Sequence, residues 1–383
     1  MPRDRPWGVL LAAGANTHQE SYGPGFAADP RCRVAGVTDE PGVDSRRAAL
    51  NRRLAEEMKV PLLPDFDDAL RRPDVDLVSI CAEHERQARI AVRCARAGKH
   101  LYMDKPLAGS LAGADSIVDA VRMNGLRGQM FSQINLPYAQ RAKRMVESGQ
   151  LGKIRAIHCD LMFAKGWPGT AALGQPRKES YPPAQFLVPD AKRELFNIAV
   201  YSVALIRWLM RREVLSVRAV TANYFFQEHQ RRGMEDFGLM ALTLEDGVTA
   251  TITAGRIGWM SHFGSGPNLT RLYGDKGSVL IDAFRPRAEV ASGMLDWKRP
   301  PRDPEDPMGF WRGTQVRAGI TPRPEWLTLE TPVRSDQSLF IDCLESGQEP
   351  EVSVFDGAKA VEVLFAAYRS AATGEVVSLP LPR

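Results

Sequence analysis

Apolar and amphipathic stretches alternate along the first third of the chain. Residues 7–14, WGVLLAAG, are apolar throughout and end in a glycine, a pattern typical of a buried parallel strand that leads into a tight turn. Further elements are predicted in the order helix, strand, helix, strand, helix and strand, over residues 19–28, 33–39, around 46–53, 74–81, 85–98 and 100–103. This alternation predicts a parallel α/β sheet.

Beyond residue 150 the pattern changes to alternating apolar and polar positions, as in half-exposed strands. Such strands are predicted over residues 154–163, 217–226, 238–244, 249–256, 269–273 and 278–282. Asp246-Gly247 is a hairpin signal between two of them. Helices are predicted over 194–209 and near 335–346 and 355–373, whereas the proline-rich residues 285–334 lack clear periodicity.

The composition excludes several classes of protein. No apolar stretch among the 383 residues is long enough to cross a bilayer, and the early run VLLAA is too short for a secretory signal. The net charge of +4 comes from basic residues interleaved with acids, which argues against nucleic-acid binding. The five cysteines are scattered without ligand or disulfide spacing, so we expect a cytoplasmic protein without a metal site.

The first strand, turn, helix and second strand outline a dinucleotide-binding βαβ unit. Asp39 follows the glycine turn at about the distance where an acid binds the adenosine ribose hydroxyls. Glu40 beside it would repel the 2′-phosphate of NADP. NAD is therefore the expected cofactor, and NADP is less favoured.

The glycine turn itself is altered. When Gly14 is aligned with the first glycine of GxGxxG, Asn16 and Gln19 occupy the second and third positions. Asn16 tolerates positive φ better than most residues, but Gln19 removes the close helix–strand approach that the third glycine allows. Thr17 offers either a hydroxyl to a phosphate or a cap to the helix.

Asp104, Lys105 and Pro106 follow directly after the strand HLYM. Because proline cannot continue a central strand, Lys105 is expected just beyond the carboxyl end of the strand, where open α/β sheets bind ligands. A lysine held there donates a hydrogen bond to a substrate hydroxyl or carbonyl, and burial would lower its pKa. The alternative is a surface lysine in a turn.

Several longer motifs resemble the Gfo/Idh/MocA family of nicotinamide-dependent oxidoreductases. They are DVDLVSI (74–80), AGKHLYMDKPLA (97–108), ESGQLGKIRAI (147–157), RLYGDKGSVLID (271–282) and FDGAKAVEVLFAAYRSAATGEVVSLPL (355–381). The resemblance implies an α/β fold with an N-terminal Rossmann domain, built on a parallel sheet, over residues 1–133. An α+β domain with a large open, mostly antiparallel sheet would follow over 134–383 and pair subunits into a homodimer or homotetramer.

The functional positions of the family carry over in part. Lys105 matches the catalytic lysine, while Asn197 and Tyr201 fall where the catalytic helix of the family has aspartate and histidine. A tyrosine replaces that histidine in the branch that resembles glucose–fructose oxidoreductase and dihydrodiol dehydrogenase. Glu83 and Gln87 stand where the family often has proline and histidine. The resemblance and the βαβ pattern together predict a cofactor site at Gly14, Asn16, Thr17, Asp39, Glu83, Asp104 and Lys105.

Asn197 and Tyr201 lie four residues apart and so share one face of a helix. A nearby lysine ammonium would lower the pKa of Tyr201 and make the phenol a usable acid or base in hydride transfer. Asn197 would orient a substrate hydroxyl. The alternative is a core tyrosine bonded to a backbone carbonyl.

Substrate contacts are expected from the long loop 164–192, from the residue after it and from the loop GWMSHFGSGPN. Lys165, Trp167 and Arg193 supply cations and an aromatic ring that suit a sugar or an acidic substrate, and His262 lies in the second loop. A subunit contact or a solvated loop would account for the same residues.

These observations predict an NAD(P)-dependent oxidoreductase that acts on a sugar, polyol or related hydroxyl compound. Lys105 would polarise or help deprotonate the reacting oxygen, Tyr201 would exchange its proton, and Asn197 would orient the substrate. Two alternatives stay open. One is a family member that has lost hydride transfer and acts as a binding or regulatory protein, and the other uses resident NAD for elimination or hydrolysis.

Overall fold

Six parallel strands form the sheet of the first domain. The computed structural model describes residues 4–14, 17–163, 193–256, 268–283, 287–292, 325–328 and 334–383. The strands lie in the order β3-β2-β1-β4-β5-β6 and are β1 (Trp7–Ala12), β2 (Cys32–Thr38), β3 (Leu62–Leu63), β4 (Leu77–Ile80), β5 (His100–Met103) and β6 (Gly128–Met130). All six residues of β1 are buried, which explains the unbroken apolar run at this point of the sequence.

Helices connect these strands and lead out of the domain. They are α1 (Gln19–Ala27), α2 (Ser45–Met58), α3 (Phe66–Arg71), α4 (His84–Arg96), α5 (Leu111–Met123) and α6 (Pro137–Glu147). Helix α4 shows why they pack against the sheet, since Ile90, Ala91, Cys94 and Ala95 recur at helical spacing and are all buried.

The strand order reverses beside β1, which pairs with β2 on one side and β4 on the other. The connections that follow such strands leave in opposite directions and open a crevice at the carboxyl edge of the sheet. The turn after β1, the end of β2, the start of α4 and the residues after β5 all belong to this edge. The candidate cofactor and catalytic segments therefore converge there.

Nine strands form the sheet of the second domain, in the order β14-β13-β12-β11-β7-β10-β9-β8-β15. They are β7 (Ile154–Phe163), β8 (Val214–Ala222), β9 (Phe237–Leu244), β10 (Thr249–Arg256), β11 (Asn268–Gly274), β12 (Gly277–Asp282), β13 (Arg287–Ser292), β14 (Glu325–Thr328) and β15 (Val377–Ser378). The helices are α7 (Glu194–Met210), α8 (Gln227–Arg231), α9 (Asp336–Ser346) and α10 (Val354–Thr373). Among the described strands of this second sheet, only β7 and β10 pair in parallel, so the mostly antiparallel sheet is confirmed.

Strand β8 ends earlier than the sequence pattern predicts. The strand expected over 217–226 is observed over Val214–Ala222. The backbone N–H groups of Tyr224, Phe225 and Phe226 instead donate to the buried carboxylate of Asp236, at 2.8, 2.9 and 2.8 Å. These bonds satisfy the backbone donors outside the sheet, and the chain turns away from the strand ladder.

One face of the second sheet carries the long helices. Met240 and Leu242 of β9 are buried, whereas Leu239, Ala241 and Thr243, at the alternate positions, are exposed. Helix α7 packs on the buried face, and also contacts α6 and α10. Because it is enclosed in this way, every residue from Glu194 to Leu209 is buried.

The C-terminal helices join the two domains. Helix α9 returns to the first domain and packs on α1, where Phe340 shares a buried cluster with Trp7 and Tyr22. A second buried cluster extends without a break from the first sheet through α7 to the second sheet. Within the described ranges, no helix combines the length and apolar character needed to span a membrane.

Candidate active site

Lys105 lies immediately beyond β5 and is only 4% exposed. Its Nζ donates to two oxygens of Asn197 on α7, the backbone carbonyl at 2.8 Å and the side-chain Oδ1 at 3.0 Å. The ammonium group therefore reaches from the first domain to the long helix of the second. The alternative of a surface lysine is wrong.

Tyr201 lies one helical turn after Asn197 and meets the same lysine. The Nζ of Lys105 lies over its ring, 4.7 Å from the centroid, in a cation–π contact. Phe131, which follows β6, packs edge-on against the Tyr201 ring, with 6.3 Å between the two ring centroids. Lys105 and Tyr201, which come from different halves of the chain, are therefore in contact.

The prediction that Lys105 lowers the pKa of Tyr201 is wrong. Burial raises the pKa of Tyr201, because the phenolate would lose its hydration, and the negative charge of Asp104 adds to this increase. The lysine ammonium contacts the ring face and does not reverse this effect. Tyr201 is therefore a neutral phenol, suited to donating a hydrogen bond and poorly suited to acting as a base.

Asp104 is held as a carboxylate beside Lys105. Its Oδ1 lies 2.8 Å from Nδ1 of His18 and accepts from the hydroxyl of Tyr22 at 2.9 Å and from the backbone N–H of Lys105 at 2.8 Å. Burial alone would raise the pKa of Asp104, but the His18 contact and the Lys105 charge outweigh it and lower the pKa to about 2. A fixed negative charge therefore stands next to the lysine.

Gln87 of α4 holds the loop that carries the lysine. Its Nε2 lies within hydrogen-bond distance of the backbone carbonyls of Asp104, Pro106 and Leu107, at 2.7, 3.1 and 3.2 Å. These contacts fix the backbone on both sides of Lys105. At a position where a histidine is expected from the family pattern, this chain has a side chain that orients the lysine through the backbone.

Thr17 acts within the turn that follows β1. Its hydroxyl donates to the carbonyl of Gly14 at 2.8 Å and accepts from the backbone N–H of Gln19 at 3.0 Å, whereas the N-cap of α1 is His18, which makes no side-chain capping hydrogen bond. Close packing also requires a glycine at position 14, because a Cβ there would lie 2.5 Å from the Cα of Asn51 on α2.

Gln19 replaces the missing glycine with a buried hydrogen-bonding group. It is fully buried, and its Nε2 donates to the carbonyls of Ala12 at 3.1 Å and Ser79 at 2.8 Å. The hydroxyl of Ser79 donates to its Oε1 at 2.7 Å. Where the usual motif lets helix and strand approach closely, this chain joins α1 to the ends of β1 and β4 through one side-chain amide.

The carboxylate of Asp39, at the end of β2, is bonded on both oxygens. Oδ1 accepts from Arg86 and from the backbone N–H of Glu40, each at 2.8 Å. Oδ2 accepts from Asn51 at 2.8 Å and from the other terminal nitrogen of Arg86 at 3.4 Å. Asp39 stands where a ribose-binding acid is predicted, but protein donors already occupy its acceptor positions.

Glu40 and Glu83 are paired with arginines too. Glu40 accepts from Arg89 at 2.8 Å and from Arg86 at 3.3 Å, which weakens the repulsion of a 2′-phosphate that the sequence predicts. Glu83, just before α4, accepts from Arg47 at 2.9 Å and from Arg86 at 2.6 Å. Burial opposes ionisation of Glu83, but the Arg86 charge holds its pKa below the ordinary value.

Arg193 stands directly before α7. Its guanidinium lies 5.3 Å from the ring centroid of Tyr368 and 3.4 Å from the buried carboxylate of Glu235. Its predicted contact with substrate stays a prediction. The other predicted substrate contacts and one residue of the glycine turn lie outside the described residues: Lys165, Trp167, His262 and Asn16.

The comparisons with known proteins agree with this architecture. A family model described as an oxidoreductase family with an NAD-binding Rossmann fold matches residues 11–131, and the GFO/IDH/MocA C-terminal domain model matches residues 139–280. The chain belongs to the Gfo/Idh/MocA family. Its N-terminal domain is accordingly an NAD-binding Rossmann domain of an oxidoreductase.

Individual relatives are distant. The chain is 25% identical over 239 residues to the uncharacterized oxidoreductase YrbE of Bacillus subtilis, a match that spans 62% of this chain and 64% of that protein. It is 22% identical over 309 residues to the myo-inositol 2-dehydrogenase of Thermotoga maritima, across 80% of each. The solved scyllo-inositol dehydrogenase of Lactobacillus casei, with bound NAD(H) and scyllo-inositol, superimposes with a TM-score of 0.66 at 16% identity, covering 98% of this chain and 99% of that one.

Sequence reasoning missed the partners of the two key acids. His18 and Tyr22 lie 86 and 82 residues before Asp104, and Arg86 lies 47 residues after Asp39. Such separations leave no periodic signal in a sequence. Arg86 could have been found by its place in the first turn of a helix that begins at the carboxyl edge of the same sheet.

Proposed function

We propose that this Gfo/Idh/MocA protein is an NAD(P)-dependent dehydrogenase or reductase that acts on a hydroxyl group of a sugar, polyol or related compound. The observation that carries the proposal is the buried ammonium of Lys105, which contacts Asn197 and Tyr201 at the carboxyl edge of the NAD-binding domain. The names of its relatives as inositol dehydrogenases support a polyhydroxylated substrate.

The side chains have different parts in this reaction. The nicotinamide, when bound, supplies the acceptor or donor of the hydride. Lys105 donates a hydrogen bond to the reacting oxygen. Its ammonium protonates that oxygen when the substrate is reduced, and its neutral amine takes the hydroxyl proton when the substrate is oxidised, since loss of hydride from a C–OH carbon requires loss of that proton. Tyr201 stays neutral and donates a second hydrogen bond, because its pKa is raised.

Asn197 and Asp104 position the lysine. Asn197 Oδ1 accepts from Nζ of Lys105, so the amide both aims the ammonium and keeps its own N–H groups for a substrate hydroxyl. The carboxylate of Asp104 accepts from the backbone N–H of the lysine and fixes the start of its loop. The Gly14 turn would hold the dinucleotide, and Asp39 would bind the adenosine ribose where Arg86 gives up one of its contacts with that carboxylate.

The test combines turnover with binding. The purified chain is assayed for NADH formation against a panel of inositols and aldoses, and NAD⁺ binding is measured by calorimetry. Lys105→Met should lower kcat by about 10²- to 10⁴-fold while NAD⁺ still binds. Lys153→Met, at an exposed lysine, should leave both unchanged.

Other outcomes would favour the alternatives. If the wild-type chain binds neither NAD⁺ nor NADP⁺, the binding or regulatory interpretation replaces the redox one. If substrate is converted without net NADH while bound NAD stays in the protein, the chemistry is elimination or hydrolysis. Full turnover by Lys105→Met would remove the lysine from the mechanism.

A further inference from the structure

Asp39 has no acceptor position left for a ribose. An ionised carboxylate offers roughly four lone-pair positions, and four protein donors occupy those of Asp39. Two of these donors come from the guanidinium of Arg86. The side chain of Asp39 is 4% exposed, and that of Arg86 is 13% exposed, so the pair is largely withdrawn from water.

Arg86 is the common partner of three acids. Its terminal nitrogens reach Asp39 and Glu40, and its Nε and one terminal nitrogen donate to Glu83 at 2.8 and 2.6 Å. Arg47 and Arg89 complete the pairing of Glu83 and Glu40. Arg93 also lies 3.5 Å from Glu40, so four arginines pair with these three carboxylates at the ribose end of the cofactor crevice.

This pairing changes which of the two dinucleotides the crevice can bind selectively. An acid at the end of the second strand usually selects NAD because it binds the ribose 2′-hydroxyl and repels a 2′-phosphate. Here the charge of Asp39 is neutralised by a cation that belongs to the same crevice. A ribose hydroxyl can bind Asp39 only if Arg86 gives up one of its contacts, and the released guanidinium is a strong partner for a phosphate.

We propose that Arg86 determines cofactor specificity in this chain, by neutralising Asp39 and offering its guanidinium to the 2′-phosphate, so that NADP binds alongside NAD. This inference depends on dinucleotide binding in the proposed function. Arg86 acts on the 2′-substituent directly and on the ribose through Asp39. The preference for NAD over NADP that Asp39 and Glu40 predict from the sequence is correspondingly small.

The test compares the two dinucleotides by calorimetry, without turnover. In wild type, the Kd values for NAD⁺ and NADP⁺ should lie within about tenfold of each other. Arg86→Gln should raise the Kd for NADP⁺ by at least about tenfold and leave the Kd for NAD⁺ within about threefold of the wild-type value. It removes the partner of the phosphate and frees the carboxylate of Asp39. Arg86→Lys keeps the charge and should retain part of the NADP⁺ affinity.

Two further variants control for indirect effects. Arg96→Gln, at an exposed arginine in the last turn of the same helix, should change neither Kd. Asp39→Asn should shift the ratio of the two Kd values in the opposite direction, with weaker binding of NAD⁺ and tighter binding of NADP⁺. This variant leaves Arg86 in place and so tests the idea even if Arg86→Gln does not fold.

Three results would overturn the inference. They are a wild-type chain that excludes NADP⁺ by more than about a hundredfold, an Arg86→Gln variant that weakens both dinucleotides equally, and an Asp39→Asn variant with an unchanged ratio. Each leaves the proposed dehydrogenase in place, since NAD⁺ still binds. Failure of both dinucleotides to bind the wild type would instead remove the proposed function together with this inference.

Discussion

Tyr201 shows how burial can override a neighbouring charge at the scale of one residue. A lysine beside a phenol stabilises the phenolate when it approaches the hydroxyl in a polar site. Here the ammonium lies over the ring, and the phenol is buried and packs against Phe131 with the carboxylate of Asp104 nearby. The charged form of Tyr201 therefore loses more from desolvation than it gains from Lys105.

A Tyr201→Phe variant should lower kcat by about tenfold without changing the shape of the pH profile. The raised pKa keeps the phenol protonated through neutral and moderately alkaline pH, so Tyr201 contributes no titration there. The measurement is kcat as a function of pH for wild type and variant. Tyr224→Phe, at an exposed tyrosine of the second domain, is the matched control. Loss of an alkaline limb in Tyr201→Phe would show that the phenolate is the base.

Asp104 should make the stability of the protein depend on acid pH. Its pKa is about 2 in the folded chain against an ordinary 3.8, so folding favours the carboxylate. The stabilisation, about 2 kcal/mol, is complete above the ordinary pKa and is lost as the pH falls through about 2. Urea unfolding of wild type and Asp104→Asn should show a difference that shrinks between pH 5 and pH 2. Asp119→Asn, at an exposed aspartate, should give a difference that does not change with pH.

Single residues differ in how far the sequence predicts them. Lys105 is predicted from its place at a strand end, and Tyr201 from its match to the catalytic helix that the family resemblance implies. The contacts of Asp39 with Arg86 and of Asp104 with His18 are not predicted, because each pair joins separate elements at one sheet edge. Which donors satisfy a buried acid depends on the folded arrangement, and a single sequence carries no record of it.

At the scale of elements, the start of α7 is fixed by a buried network. The carboxylate of Glu235, fully buried, accepts from the backbone N–H of Leu195 at 3.2 Å and from the hydroxyl of Tyr368 on α10. The same hydroxyl accepts from the backbone N–H of Phe196 at 3.0 Å. Two of the unpaired N–H groups of the first turn are satisfied in this way. The register of Asn197 and Tyr201 follows from where that turn is held.

A Tyr368→Phe variant should therefore affect both stability and catalysis. Loss of the hydroxyl removes one donor from the carboxylate of Glu235 and the acceptor of the Phe196 N–H, at a cost of about 1–3 kcal/mol in the free energy of unfolding. A shift of the first turn should also lower kcat several-fold. Tyr273→Phe removes a hydroxyl that accepts from Arg271 on the exposed sheet face, and should change neither quantity appreciably. An unchanged unfolding midpoint in Tyr368→Phe would contradict the role given to this network.

Elements with a strong pattern were predicted with accurate bounds, and elements without one were missed. The strands His100–Met103, Ile154–Phe163 and Thr249–Arg256 match their predicted limits, because glycine, proline or a hairpin signal marks their ends. The strands β13 and β14 have no such pattern in their proline-rich surroundings. Their place is set by strand pairing, of β13 with β12 and of β14 with β13, rather than by local sequence.

At the scale of the whole molecule, the two domains share their interior. One buried cluster includes residues of both sheets and of α7, and the Lys105–Asn197 contact crosses the same boundary. The proposed catalytic groups are therefore held by a packed interface rather than by loops alone. The described helices pack on one face of the second sheet, and exposed side chains of β9 lie on the other face, here called the open face.

The open face should pair two copies of the chain. Val220 on β8 and Leu239 on β9 are directly opposite each other in the strand register and are 55% and 41% exposed. Apolar neighbours in such a position favour burial against a second sheet. Leu239→Glu would place a charge in that contact, so the variant should sediment as a monomer where the wild type sediments as a dimer or tetramer. Met123→Glu alters an apolar residue of the first domain that is 84% exposed and should leave the assembly intact. If both variants sediment like the wild type, the open face is not where copies of the chain meet.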